Sequence, residues 1–206
     1  MKSFVLIAIA MCLTMSSAKS SDLDASADSA VERTVQTCGA CHGTNGRSVS
    51  PTFPNLAAQT APYIEMQLKA FKDQSRGDPD AQAYMWGMAA QLSDSTITQL
   101  ASYFAKQQPA SGKSGKSGDA GLLQRGKLIF EGGVPARQTP PCASCHGAQA
   151  QGMATFPRLA GQHAPYLLKQ LLVIQNALRN APVMHGVVKD LTRDQMQAVA
   201  VYLESI

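Results

Sequence analysis

At 206 residues with a formal net charge of +4, the chain is long enough for one ordinary domain or for two small ones of about 85 to 90 residues. Its lysines and arginines are scattered, apart from Lys113 and Lys116 in a Gly/Ser-rich stretch, which excludes the basic stripe of a nucleic-acid binder. Aromatic residues make up only 6% of the chain, so two small domains would bury little apolar surface by themselves.

The first 18 residues carry Lys2, an apolar run from Phe4 to Leu13 and the small residues Ser16-Ser17-Ala18, which reads as a secretory signal peptide over residues 1–18. The alternative is retention as an anchor, but an apolar run of about ten residues is well short of the roughly 20 that span a bilayer. Cys12 lies in that run after Met11, where a lipoprotein cleavage site has a small residue, so it is expected to leave with the signal. The other four of the five cysteines stand in two pairs.

Residues 30–37 have modest helical character and lead into Cys38-Gly39-Ala40-Cys41-His42. A second pentapeptide of the same pattern, Cys142-Ala143-Ser144-Cys145-His146, follows later in the chain. Two thiols separated by two residues can each add to a vinyl group on one porphyrin edge, and the adjacent histidine then reaches the iron, so each copy reads as a site for covalent haem c. A zinc site assembled from both Cys pairs, or two thioredoxin-like dithiols, needs no histidine after both second cysteines. Two haems would fill the small cores, and their propionates would bring the basic chain close to neutral.

Past His42, residues 43–54 have the Gly, Ser, Pro and Asn content of a loop. Pro62 suits the first turn of a helix running to about Lys72, with Ile64, Leu68 and Phe71 on one face. The stretch Arg76 to Asp80 breaks it, and Ser93 caps a closing helix with Ile97, Leu100, Ala101 and Phe104 at helical spacing. Residues 22–108 thus read as a first domain, 109–119 (PASGKSGKSGD) as a flexible linker, and 120–206 as a second domain. That domain opens with a helix over Gly121–Phe130 and a longer loop over Gly132–Pro141, then repeats the first. Phe53-Pro54-Asn55-Leu56-Ala57 matches Phe156-Pro157-Arg158-Leu159-Ala160, Gln59 matches Gln162, Tyr63 matches Tyr166 and Arg76 matches Arg179. Thr192 and Gln195 form a capping box for its last helix.

A six-coordinate haem needs a distal ligand, and a methionine thioether stabilises ferrous iron. Met85 and Met184 stand equally far ahead of Leu92-Ser93 and Leu191-Thr192, so they are the expected ligands opposite His42 and His146. Met88, whose counterpart is Val187, and His185, whose counterpart is Trp86, are the local rivals. His163, paired with Thr60, reads as a surface or propionate-side residue. Pro54 and Pro157 either offer a carbonyl to the ligating histidines or merely stiffen the loop. Arg76, Arg179, Tyr63 and Tyr166 could reach haem propionates.

With both Cys-x-x-Cys-His-Gly motifs, the Phe-Pro-x-Leu-Ala stretch followed by Gln and Tyr, and a Met ahead of the final helix, the sequence resembles the dihaem cytochromes c of the c4 type. The resemblance runs from about residue 25 to the C-terminus. It implies an all-α chain of two class I cytochrome c domains about a pseudo-twofold axis, with propionates facing across the interface. It also implies a periplasmic electron carrier, with peripheral membrane association as an option. Its donor would be a cytochrome bc complex or a dehydrogenase, and its acceptor a terminal oxidase or reductase. A dihaem peroxidase, another haem oxidoreductase, or a fixed subunit of a larger redox complex is the competing reading. An enzyme would need an exchangeable iron, against which two repeat-matched methionines stand.

Overall fold

The computed structural model describes residues 31–112 and 119–206; the signal segment and the centre of the linker lie outside the described residues. Helix α1 covers residues 31–42, followed by α2 (Ala61–Lys72), α3 (Trp86–Ala89) and α4 (Asp94–Ala105) in the first half. The second half holds α5 (Ala120–Gly132), α6 (Ala143–His146), α7 (Ala164–Gln175), α8 (Pro182–Val188) and α9 (Arg193–Ser205). The described residues form no β-strand, only the isolated bridges Val134–Thr139 and Met153–Phe156, so the chain is all-α.

Each half packs its closing helix against an earlier one. In the first, Ile64 of α2 meets Leu100, Ala101 and Phe104 of α4, the stripe expected from the sequence. Removing a side chain such as Leu100 or Phe104 from water is worth about 1.5–3 kcal/mol. Ser93 caps α4 by accepting a bond from the Thr96 N–H (3.1 Å), and Thr192 with Gln195 forms the full capping box at α9. In the second half α5 and α9 cross closely, because a Cβ on Gly126 would stand 2.1 Å from the Ala198 carbonyl oxygen. Phe130 and Tyr202 pack beside that crossing with their rings tilted and their centroids 5.7 Å apart.

Two boundaries differ from the sequence reading. Helix α1 does not stop before the first motif but continues through it to residue 42. In the second half the long loop interposes a 3-10 turn (Pro135–Arg137) and the Val134–Thr139 bridge, so the motif forms its own short helix, α6. The loop turns at Gly133, with φ of 70° and the Thr139 carbonyl oxygen only 2.3 Å from where a Cβ would be.

The halves meet along a buried polar seam. The Gln162 side chain accepts from the Asn55 N–H (2.9 Å) and donates to the Asn55 carbonyl (3.0 Å). The Gln59 side chain does the same to Arg158, accepting from its N–H (2.7 Å) and donating to its carbonyl (3.0 Å). Each glutamine amide thus satisfies both backbone groups of the repeat-equivalent residue in the other half, which is twofold symmetry written in hydrogen bonds. Asn55 adds a bond from its side-chain amide to the Gly161 carbonyl (2.9 Å).

The expectation of a surface position for His163 is corrected here, since its side chain is buried. It is 4% exposed, with Nε2 3.0 Å from the Ser48 carbonyl and Nδ1 3.7 Å from a Glu204 carboxylate oxygen. Its position just before α7 matches that of Thr60 before α2, whose hydroxyl donates to the Ala154 carbonyl (2.6 Å). Both residues are therefore aimed across the seam, and the longer side chain buries itself in doing so.

Candidate haem sites

The first motif lies at the end of α1, so Cys38 and Cys41, three residues apart, share a helical face. The second is α6 with Cys142 as its cap. None of these four cysteines forms a disulfide. Burial pushes the Cys142 thiol up to about 11 and raises that of Cys38, so both stay protonated, unlike the low-pKa cysteine of a dithiol exchanger. Among the described residues no three His, Cys, Asp or Glu side chains gather to hold a metal, so the two Cys pairs do not assemble a zinc site.

The histidines of both motifs are buried and oriented alike. His42 Nδ1 lies 2.9 Å from the Pro54 carbonyl, and His146 Nδ1 lies 2.9 Å from the Pro157 carbonyl. A carbonyl can only accept, so Nδ1 carries the proton and donates, which leaves the Nε2 lone pair free. Burial lowers the pKa of both imidazoles and keeps them neutral, as a metal ligand must be. His146 Nε2 is itself buried with no hydrogen-bond partner. An orphaned acceptor of that kind costs about 1–3 kcal/mol unless something else takes the lone pair. A haem iron fits the position, with the proline carbonyl fixing tautomer and ring orientation behind it.

Phe53 packs edge-on to His42 (6.1 Å) and to Tyr84 (5.5 Å), joining the histidine loop to the residue before Met85. Phe156 contacts His146 at 6.4 Å, but Val183 stands where Tyr84 does in the repeat, so that chain of rings ends there. Met85 is half-buried beside Phe71, Ala81 and Ala89, and Met184 beside Ile174, Val188, Leu191 and Met196. The rival Met88 is 46% exposed. The rival His185 has Nδ1 2.9 Å from the Ile174 carbonyl, just as Trp86, its counterpart, donates to the Arg76 carbonyl (2.8 Å). Both side chains therefore tether the residue after the methionine to the backbone.

The four residues assigned to propionates come together in the seam. Arg76 donates to Asp78 (2.8 Å), Gln67 (2.6 Å) and Gln170 (3.0 Å); Arg179 donates to Gln170 (2.6 Å), Tyr63 (2.8 Å) and Gln67 (2.9 Å). Burial alone would raise the Tyr63 phenol, but the Arg179 and Arg76 guanidiniums override it and the pKa falls. That of Tyr166 rises, with burial the largest cause. Two buried guanidiniums gather beside one buried carboxylate, which only Arg76 binds, so the cluster is short of negative charge, and haem propionates match that need.

What the sequence reading missed is Asp78, the Gln59 and Gln162 clamps, and Gln67 with Gln170. The matched positions of the glutamines were visible, but nothing in their spacing signals a partner in the other repeat.

A chain of two all-α repeats, each holding a Cys-x-x-Cys-His segment whose histidine is locked by a proline carbonyl, has the design of a covalent multihaem cytochrome. The cytochrome c family model matches residues 30–108 and 123–206. Cytochrome c-552 of Acidithiobacillus ferridurans is 43% identical over 175 residues, covering 84% of this chain and 75% of that protein. Cytochrome c4 of Pseudomonas aeruginosa is 34% identical over 175 residues, covering 82% and 83%. The structure of Acidithiobacillus ferrooxidans cytochrome c4 superposes with a TM-score of 0.76 at 42% identity, covering 82% of this chain and 98% of that one. The chain belongs to the cytochrome c family, within its dihaem c4 group, and carries two covalent haem c groups as an electron-transfer cytochrome.

Proposed function

We propose that the chain is a periplasmic electron carrier that takes electrons from a cytochrome bc complex or a dehydrogenase and passes them to a terminal oxidase or reductase. In this reading residues 1–18 are a cleaved signal, 22–108 and 120–206 are the cytochrome domains, and 109–119 is the linker. Cys38 and Cys41 attach one haem and Cys142 and Cys145 the other, while His42 with Met85 and His146 with Met184 bind the irons. Haem iron supplies the one-electron couple; the histidines, fixed by Pro54 and Pro157, orient it, and the methionines favour the ferrous state.

The observation that carries the carrier reading is the reciprocal glutamine seam. It holds two haem domains in one fixed arrangement, so an electron received at one domain has an internal route to the other. No helix among the described residues is long and apolar enough to cross a membrane.

Two experiments test this. Mass spectrometry of the mature holoprotein is expected to show the chain from near residue 19 plus two haems, and a mass corresponding to one haem overturns the site assignment. Rapid reduction of one domain through a docked partner is expected to reach the second haem at a rate independent of protein concentration. A rate that scales with concentration overturns the internal route.

A further inference from the structure

The two methionine segments are equivalent by repeat and differ in how firmly they hold the thioether. The first runs four residues longer between its arginine and its methionine than the second. Its extra length is taken up in a π-turn, Ala81–Met85, which Met85 closes, and the helix that follows, α3, has only four residues. Met184 instead lies within the seven-residue α8, in an unbroken α-helical register. Single π-turns are rare and recur where a chain must move or bind.

Packing separates the two further. Met184 sits among Ile174, Val188, Leu191 and Met196, with Leu168, Leu171 and Leu172 close by. The first segment packs on Phe71, Ala81 and Ala89, with Leu68, Trp86 and Leu92 close by. Dispersion holds a side chain in proportion to the atoms around it, so a cluster whose buried members include two alanines gives up less when the thioether leaves than one built on Ile174, Val188, Leu191 and Met196. Met88, on the outer side of this segment, is 46% exposed and adds little hold, while Tyr84 keeps its edge contact with Phe53. At the start of the turn Asp80 pairs with Lys169 of the second half, but that pair is part-exposed and correspondingly weak.

We propose that Met85 is the releasable ligand of the pair, and that the first haem accepts a small strong-field anion of the cyanide class in its place while the second stays closed. This rests on the reading of Met85 and Met184 as iron ligands. The exchange breaks one iron–sulfur bond and forms one bond to the incoming anion; the thioether leaves as a neutral group, and the oxidation state does not change.

The test is a cyanide titration of the ferric dihaem holoprotein, followed through its sulfur-to-iron charge-transfer absorption. The wild type is expected to bind the first cyanide about tenfold more tightly than the second. Holoprotein carrying Met184→His is expected to keep the tight site and lose its remaining sulfur band on titration, whereas Met85→His loses the tight site. Two sites within about threefold of each other, or a tight site that survives Met85→His, overturn the proposal. If either histidine variant keeps both sulfur bands before cyanide is added, the ligand assignment has failed, a result separable from equal binding at two correctly assigned irons.

Discussion

The two halves agree closely around the motif histidines and diverge around the proposed methionine ligands. His42 and His146 make the same 2.9 Å contact to equivalent proline carbonyls, those of Pro54 and Pro157, and Gln59 and Gln162 make reciprocal clamps. Yet Met85 closes a π-turn while Met184 sits in a plain α-helix, and only the first half supplies a carboxylate, Asp78, to its buried arginine. The histidine side is built from backbone groups whose geometry any copy of the repeat reproduces. The methionine side depends on segment length and on side-chain packing, both of which a repeat can change without disturbing the attachment.

The sharpest break in the comparison is expected at Asp78. It is fully buried, Oδ2 receives the Arg76 bond, and Oδ1 has no partner. Asp78→Ala leaves a buried guanidinium without its carboxylate and is expected to destabilise the protein by about 3–5 kcal/mol. The counterpart position offers nothing to delete, since Arg179 has no ion pair among the described residues and bonds only to neutral groups. Chemical denaturation of the holoprotein measures the effect, and a loss below about 1 kcal/mol would show that the pair adds little.

Next in size are the methionines. Met85→Ala and Met184→Ala are each expected to remove one sulfur-to-iron band and to lower that haem's potential by on the order of 100 mV, a fraction of the ~0.8 V that axial ligands span. Met88→Ala is expected to leave both bands, and a redox titration with spectra at each step checks all three. If Met88→Ala removes a band, repeat spacing does not locate the ligand.

The glutamine clamps come third. Gln162→Ala and Gln59→Ala each strip two backbone groups of their partner, at about 1–3 kcal/mol. The Gln162 bonds are fully buried and the Gln59 bonds only partly, so Gln162→Ala is expected to cost more. Equal losses in denaturant midpoint would mean that solvent reaches both clamps alike. The smallest effect is at the caps. Ser93→Ala removes one bond at α4 and Thr192→Ala half of a reciprocal box at α9, each expected to cost about 1 kcal/mol by thermal unfolding, with Thr192→Ala the larger.

Much of this was legible in the sequence because it is local. Ser93, Thr192 and Gln195 cap helices through neighbours three residues away, and Ile97, Leu100, Ala101 and Phe104 line one face through helical periodicity. The proline carbonyls were legible as one of two alternatives, since a ligating histidine needs an acceptor and each repeat holds a proline in the matched Phe-Pro-x-Leu-Ala stretch, 12 residues after His42 and 11 after His146. The seam was not legible, because Gln59 and Gln162 bind main-chain groups about a hundred residues away and backbone atoms leave no trace in composition. Asp78 was hidden in a stretch read only as a helix breaker. His163 was misjudged because a lone histidine opposite a threonine gives no sign of burial, which follows from both standing at the start of a helix that faces the other half.

The reciprocal clamp also says something about descent. Each glutamine reads the main chain of the opposite repeat and ignores its side chain, so the clamped residue is free to be asparagine in one copy and arginine in the other. A patch that both presents and receives the same pair of bonds is self-complementary, the property of an isologous homodimer. A single ancestral repeat with that patch could have paired with its own twin, and gene fusion would then have replaced bulk concentration with the local concentration set by a tether. On that view the covalent connection came after the joint, and sequence drift between the copies was tolerated because the clamping bonds reach only the main chain of the residue that stood there, whose side chain was left free to add a bond, as Asn55 does to Gly161.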